Sequence, residues 1–275
     1  MSSPENCKHQ NTKTPNEAGA PSDPLCASVA PVGSESAIDK SRGPFIFNRL
    51  GQPLYLLDPR PEDIDPLDIA HSLALQCRYG GHCPRFLSVA EHSLLVAEVV
   101  AREHPELALA ALLHDAGELV GDFPSPLKKL LLVPLSVERL ADRDRVNLGS
   151  FSELDEMWRA AAFRRFGIGD ENGPGLPVEG WLAIHAADLA VGAAEMLSFG
   201  WSGPTPGRES APAEGIRIRN LGPEDARFEF MQELTRLENQ RLHCQGDPAA
   251  WALEKQRAGA TGENARATET QEAQN

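Results

Sequence analysis

Apolar residues recur at helical spacing along most of the middle of the chain. In the segment 224–242, for example, Phe228, Met231 and Leu234 lie on one helix face. The same periodicity predicts further helices over residues 63–78, 88–103, 105–121, 151–166 and 180–199. Only residues 45–57 are typical of a short extended pair. The pattern therefore predicts an all-α core.

Boundary signals support two of these helices. Ser88 is a good N-cap, and Glu91 three residues later completes a capping box. Pro105 fits the first turn of the next helix, and Gly121 fits its C-terminal end. The Pro-x-Pro segment 124–126 then predicts an extended loop.

Both ends of the chain lack the large apolar residues of the middle. Residues 1–43 are rich in Ser, Pro, Asn, Lys and Glu, and residues 252–275 are mostly Ala, Thr, Glu, Gln and Asn. Such segments cannot bury enough surface to offset their ordering entropy, so both are predicted to be disordered tails. One domain is predicted between them, over residues 44–245, with a long Gly- and Pro-rich connection over 200–223.

Composition restricts the partners and the compartment. The formal net charge of -14 argues against a nucleic-acid polymer or an anionic membrane surface as a partner. It leaves room for a small phosphorylated substrate, because a metal and local Arg or Lys can reverse the field in a pocket. The five Cys are odd in number and form no C-x-x-C pair, as expected in a reduced cytosol. No apolar leader or membrane-spanning run is visible, so a cytoplasmic location is expected.

His114 and Asp115 are adjacent metal-ligand types inside an apolar run, where a partly buried carboxylate needs compensation. A divalent cation provides it directly. His92 and Asp188 offer the same ligand types on neighbouring predicted helices. Two imidazoles and two carboxylates suit one Mn, Fe, Co, Ni or Zn ion better than Ca or Mg. On a helix His114 and Asp115 would differ by about 100°, so the ion would lie between their two directions.

Two more carboxylates follow in the same stretch. Glu118 lies four residues after His114, and Asp122 follows Gly121. A carboxylate near a metal can orient or deprotonate an attacking water. The alternatives are an exposed helix acid for Glu118 and a turn residue for Asp122.

Arg78 is a candidate for phosphate binding because a guanidinium can bind phosphate oxygens in a bidentate way. The following pair Gly80-Gly81 permits close approach of the backbone to a ligand. Arg85 is a competing candidate, and a solvated Arg78 is the alternative. Glu195, seven residues after Asp188 on a similar helix face, could line the same pocket, although a packing or surface role is expected first.

The order of these elements resembles the HD-domain metal-dependent phosphohydrolases over about residues 45–240. Within that superfamily it is most similar to bacterial 5′-deoxynucleotidases and phage dATP triphosphohydrolases. The matching elements are Arg78-Tyr79, residues 90–93 with His92, the string from His114 to Lys128, and Ala187-Asp188. Deoxynucleotidases of this type commonly have Trp where this chain has Tyr79.

The resemblance implies an HD-domain helical bundle with a metal pocket between helices. It implies that the metal ligands are His92, His114, Asp115 and Asp188. It further implies catalytic roles for Glu118 and Asp122, and substrate-binding roles for Arg78, Tyr79 and Lys128, with Arg78 at a phosphate and Tyr79 near the nucleoside.

The expected function is metal-dependent hydrolysis of a deoxynucleotide, with release of phosphate or triphosphate. The expected cofactor is one divalent transition-metal ion, and the expected partner is a small-molecule nucleotide. Two alternatives stay open: an HD phosphodiesterase for another phosphorylated substrate such as a cyclic nucleotide, and a non-catalytic, metal-binding regulatory module. The base, the number of phosphates, the metal and the choice between monomer and homodimer also stay open.

Overall fold

The computed structural model describes residues 38–122, 135–138, 145–148, 151–170, 173–201 and 210–246. The chain divides into Met1–Ala37 and Ile38–Asn275, and every described residue belongs to the second unit. The predicted tails 1–43 and 252–275 therefore lie outside the described residues, except for residues 38–43. There, a 3-10 turn at Lys40–Arg42 is held by Arg42, whose Nε lies 2.7 Å from an Asp58 carboxylate oxygen.

Helices dominate the described residues, as predicted for an all-α core. This described part of the chain contains six α-helices, α1 (Pro66–Leu75), α2 (Val89–Glu103), α3 (Ala108–Leu112), α4 (Phe151–Arg165), α5 (Val178–Ser198) and α6 (Pro223–Gly246). Short 3-10 turns at Pro61–Asp63, Tyr79–Gly81, Pro105–Leu107 and Ala116–Val120 connect several of them. No helix among the described residues is long and apolar enough to cross a membrane.

The few strands among the described residues form three separate antiparallel pairs. The predicted extended pair is present as β1 (Phe45–Phe47) and β2 (Pro53–Tyr55). The pattern did not predict the other two pairs, whose strands are two to four residues long and too short to show a period. They are formed by β3 (Leu135–Glu138) with β4 (Arg145–Leu148), and by β5 (Gly169–Asp170) with β6 (Gly173–Pro174).

Helix α2 lies at the centre of the core and packs against α1, α3, α5 and α6. Its N-terminus is capped as predicted, because the Ser88 hydroxyl accepts a hydrogen bond from the Glu91 N–H at 3.0 Å. The Glu91 carboxylate does not complete the capping box. It is fully buried and accepts hydrogen bonds from the backbone N–H groups of residues 219–221, at 2.6 to 3.0 Å. Glu91 therefore fixes the segment before α6 against the first turn of α2.

The predicted helix over 105–121 is interrupted at His114 and Asp115. Its α-helical part ends at Leu112, and from the N–H of His114 onward the backbone hydrogen bonds join residues three apart. The cause is local, since the His114 imidazole Nδ1 lies 2.8 Å from the Ala111 carbonyl oxygen. In a continuous α-helix that oxygen would accept from the N–H of residue 115. The 100° helical separation assumed for His114 and Asp115 was therefore wrong.

Gly117 lets the turn after Asp115 pack directly on α4. A Cβ at this position would overlap the carbonyl oxygen of Asp155 and lie 3.0 Å from its Cα. Backbone cannot yield as a flexible side chain can, so the turn and α4 can meet here only because residue 117 has no side chain.

Replacing Gly117 with Ala should therefore push the turn Ala116–Val120, which directly follows His114 and Asp115, away from α4. We expect a loss of about 2 to 3 kcal/mol in the free energy of unfolding, the upper range for overpacking a core. Chemical denaturation measures it, with Gly222→Ala as control because its Cβ would meet only the Asp225 carboxylate, 4.0 Å away. Equal stability of both variants would show that the close contact at Gly117 does not restrict the turn.

Candidate metal centre

Three of the four predicted metal ligands converge in the structure. His92 lies in the first turn of α2, His114 in the turn after α3, and Asp188 in the middle of α5. One ligand atom from each lies within 4.8 Å of the others. Their residue types and spacing mean that this group could hold a metal ion, as the sequence predicts.

Both imidazoles are oriented by a hydrogen bond on Nδ1. His92 Nδ1 lies 2.7 Å from Glu195 Oε1, and His114 Nδ1 lies 2.8 Å from the Ala111 carbonyl oxygen. Because both acceptors are oxygens, each ring carries a hydrogen on Nδ1. The lone pair of Nε2 then points toward the other ligand atoms, as is usual for metal-binding histidines. The Nε2 atoms of both rings are buried and have no hydrogen-bond partner among the residues that the structure describes.

The contact between His92 and Asp188 also fits a shared ion better than a hydrogen bond. His92 Nε2 lies 3.0 Å from Asp188 Oδ1, yet this oxygen does not satisfy Nε2 as a hydrogen-bond acceptor. Since this distance is short enough for a hydrogen bond, the angle at which the two atoms face each other must be unsuitable for one. Ligand atoms about 2.0 to 2.2 Å from one ion lie roughly 3 to 4 Å apart, which includes this separation.

Asp115 lies beside this group and is not one of the three residues whose ligand atoms converge. Its carboxylate oxygens lie 3.3 Å from His114 Nε2 and 3.8 Å from His92 Nε2, and one of them is 3.9 Å from Arg78 Nη1. Asp115 thus adds negative charge next to both imidazoles.

Two carboxylates surround the His92 ring in the absence of an ion. Burial and the charge of Arg78 both lower the pKa of His92, but Glu195 and Asp188 outweigh them and raise it to about 9. Burial raises the pKa of Asp188, while the short contact with His92 and the charges of the nearby cations lower it to well below the usual range. The site therefore attracts positive charge, and a bound cation would replace the proton on His92.

Glu195 joins the metal-ligand group to a second pair of residues. Its side chain is fully buried in α5, where Oε1 faces His92 and Oε2 lies 3.1 Å from Arg78 Nε and 2.7 Å from the Tyr79 hydroxyl. Burial raises the pKa of Glu195, but Arg78 and His92 lower it to about 2. Glu195 is thus not a surface residue, and of the two roles left open by the sequence it takes the one that the seven-residue spacing from Asp188 indicates, beside the metal-ligand group.

Arg78 and Tyr79 are both anchored to this carboxylate. Arg78 is buried, and Glu195 holds the pKa of its guanidinium above the usual range despite that burial. Tyr79 has a left-handed φ of 57° and packs edge-on against Phe199 and Trp201. Their predicted contacts with phosphate and nucleoside stay predictions.

The remaining predicted site residues lie within the 3-10 turn Ala116–Val120 or follow it in the sequence. Glu118 is buried in Ala116–Val120, and Asp122 is half-buried two residues beyond that turn. Gln76 fixes both backbones, since its amide donates to the Glu118 carbonyl oxygen and accepts from the Asp122 N–H. Neither side chain belongs to the converging ligand group, and Lys128 lies outside the described residues.

Comparison with known proteins identifies relatives without assigning an activity. The chain matches no protein-family model. It is 41% identical over 145 residues to an uncharacterized protein of Rhodobacter capsulatus, covering 50% of this chain and 64% of that protein. It is 42% identical over 88 residues to the uncharacterized protein YfdR of Escherichia coli K12, covering 32% of this chain and 48% of that protein. The matches thus span less than two thirds of either relative.

Proposed function

We propose that the protein is a metal-dependent phosphohydrolase of the HD-domain type, and that it hydrolyses a deoxynucleotide. The observation that carries this proposal is the convergence of His92, His114 and Asp188 on one point, with two buried Nε2 atoms that no described residue satisfies by a hydrogen bond. A site built this way needs a cation to satisfy it. The sequence resemblance to deoxynucleotidases supplies the substrate class.

The chemical nature of the ligands fits one divalent transition metal. Imidazole nitrogen and carboxylate oxygen suit Mn, Fe, Co, Ni or Zn, and three protein ligands leave positions for water and substrate. When bound, the ion would polarise a phosphoryl oxygen and lower the pKa of the attacking water. Asp115 lies close enough to serve as a fourth ligand after a small rotation.

The site has a closed side and an open side. The His92 side chain is 0% exposed, whereas the Asp188 and Asp115 side chains are 27% and 21% exposed. A substrate phosphate would therefore enter past the two carboxylates. Since these repel an anion, the approach needs positive charge, which the metal and Arg78 would provide.

The other predicted site residues receive their roles from the sequence resemblance. Arg78 would bind a phosphate oxygen through its terminal nitrogens, because Glu195 already holds its Nε. Glu118 would accept a proton from the attacking water, and Asp122 would assist the leaving group. Tyr79 would pack near the nucleoside, and Lys128 would add charge at the phosphate.

A panel assay tests the activity. Protein stripped with a chelator and reloaded separately with Mn, Fe, Co, Ni or Zn is incubated with deoxynucleoside monophosphates, deoxynucleoside triphosphates and cyclic nucleotides. Metal-dependent release of phosphate or triphosphate from a deoxynucleotide is the expected result. Turnover of cyclic nucleotides alone would favour a phosphodiesterase, and metal binding without any turnover would favour a regulatory module.

Replacing Glu118 with Ala should separate chemistry from metal binding. We expect the metal content to stay at the wild-type level and turnover to fall on the order of 10²-fold or more, the usual effect of losing a positioned acid or base. Asp115→Ala should instead lower both the metal content and turnover, because it removes an anion beside both imidazoles.

Elemental analysis and deoxynucleotide hydrolysis are measured together on these two variants, with Glu103→Ala as control for an exposed acid at the end of α2. If the Glu118 variant loses metal as fully as the Asp115 variant, Glu118 is a ligand. If it keeps wild-type turnover, it has no catalytic role.

A further inference from the structure

Two thiols flank the turn that carries Arg78 and Tyr79. The Sγ atoms of Cys77 and Cys83 lie 3.4 Å apart, and both side chains are partly accessible. From this proximity we infer that Cys77 and Cys83 form a redox-active pair, which a peroxide converts reversibly into an intramolecular disulfide. The sequence did not indicate this pair, because the cysteine count is odd and no C-x-x-C motif is present.

The backbone around the pair allows the sulfurs to meet. Cys77 is anchored, because it forms an isolated antiparallel bridge with Ser88, and the Arg78 N–H donates to the Leu87 carbonyl oxygen at 2.9 Å. On the other side, Gly80 and Gly81 have φ values of 61° and 77°, and residues 80–82 and 84–85 are exposed. A disulfide needs an S–S distance of about 2.05 Å. The exposed Cys83 side of the turn can supply the movement of about 1.4 Å.

The reaction balances with hydrogen peroxide as the oxidant. The thiol of one cysteine gives its proton to solvent, and the thiolate attacks a peroxide oxygen. The O–O bond breaks, the departing hydroxide takes up a proton, and a sulfenic acid and one water are formed. The second sulfur then attacks the sulfenic sulfur, the S–S bond forms as the S–O bond breaks, and a second water leaves. Burial and the contact with Cys77 raise the pKa of the Cys83 thiol.

The disulfide would also act on the candidate metal centre, a consequence that rests on the proposed function. Arg78 is bonded to Cys77, and its carbonyl oxygen lies 3.7 Å from the Cys83 sulfur, which donates to it. Formation of the disulfide would move the turn between Cys77 and Cys83. The side chains of Arg78 and Tyr79 in that turn hold Glu195. Since misplacement by about 1 Å can cost up to roughly 10²-fold in rate, we expect oxidation to lower hydrolysis on the order of 10-fold. Metal content should not change.

Peptide mass spectrometry tests the disulfide without reference to activity. Full-length protein is treated with hydrogen peroxide, the remaining thiols are alkylated, and the chain is denatured and cut with trypsin. Cleavage after Arg78 puts Cys77 in one peptide and Cys83 in the peptide 79–85. We expect these two peptides to be linked by a disulfide that dithiothreitol reverses. Cys83→Ser should abolish the link, and Cys244→Ser should leave it intact.

Two results would overturn the inference. One is a peptide 79–85 that stays a free thiol, or becomes sulfinic or sulfonic acid, while unpaired with Cys77. The other is a link from Cys83 to Cys244 or to another chain. Hydrolysis by the oxidised and reduced forms is measured separately. Equal rates in a linked protein would contradict the effect on the site, whereas no hydrolysis by either form would count against the proposed function and leave the disulfide result standing.

Discussion

Asp188→Asn should release the metal and reduce hydrolysis to the level of the metal-stripped protein. The substitution keeps the shape of the side chain but replaces the carboxylate that lies 3.0 Å from His92 Nε2 with a neutral amide. A neutral amide oxygen is a poorer ligand for a divalent transition metal than a carboxylate. Loss of an outer-shell partner typically costs 10- to 100-fold in affinity, so loss of this ligand charge should cost at least about 100-fold.

Isothermal titration of the stripped protein with Mn(II) or Zn(II) measures this loss of affinity. Glu179→Gln is the matched control, because it removes the same charge from an exposed position on the same helix, α5. The control should bind metal as the wild type does. Wild-type affinity in the Asp188 variant would exclude Asp188 from the ligand set.

Glu195→Gln should weaken both the fold and the metal site, although Glu195 is not among the converging ligands. An amide can accept from His92 Nδ1, but its nitrogen would then face the N–H of Arg78 and the Tyr79 hydroxyl. Arg78 would also lose the carboxylate that balances its buried charge. Breaking a buried ion pair from one side costs about 3 to 5 kcal/mol, and we expect metal affinity to fall 10- to 100-fold.

Tyr79→Phe is the control for this variant, because it removes only the hydroxyl that donates to Glu195 Oε2 at 2.7 Å. It should cost about 1 kcal/mol in the free energy of unfolding and leave metal affinity nearly unchanged. Denaturation of the metal-free proteins measures the stability change, and metal titration measures the affinity. If the Gln variant behaves like the Phe variant in both, Glu195 does not orient the metal ligand His92.

Local signals in the sequence were sufficient to predict most helices. Helix α2 ends at Glu103 and starts directly after the Ser88 cap, because the cap and the apolar period both act within a few residues. Helix α5 spans Val178–Ser198, close to the predicted 180–199. The order of ligand types along these helices was enough to predict that His92, His114 and Asp188 meet.

The features that the sequence did not predict depend on specific side-chain and backbone contacts, most of them between distant parts of the chain. The break before His114 depends on an imidazole bond to Ala111 and on the close approach of Gly117 to α4, neither of which leaves a periodic signal. Glu91 completes the capping-box pattern in sequence, yet its carboxylate binds backbone amides about 130 residues away. The role of Glu195 required knowing which side chains face it across α2 and the turn at Tyr79–Gly81.

We propose that hydrolysis of a deoxynucleotide requires one divalent cation bound by His92, His114 and Asp188. Titration of the stripped protein with Mn(II), with phosphate or triphosphate release from a deoxynucleotide panel recorded at each step, tests this requirement. We predict that the rate rises with added ion and reaches a plateau at one equivalent per chain, and that His114→Ala shows no rise. A hydrolysis rate that does not depend on the added ion, or that rises equally in His114→Ala, would contradict this requirement.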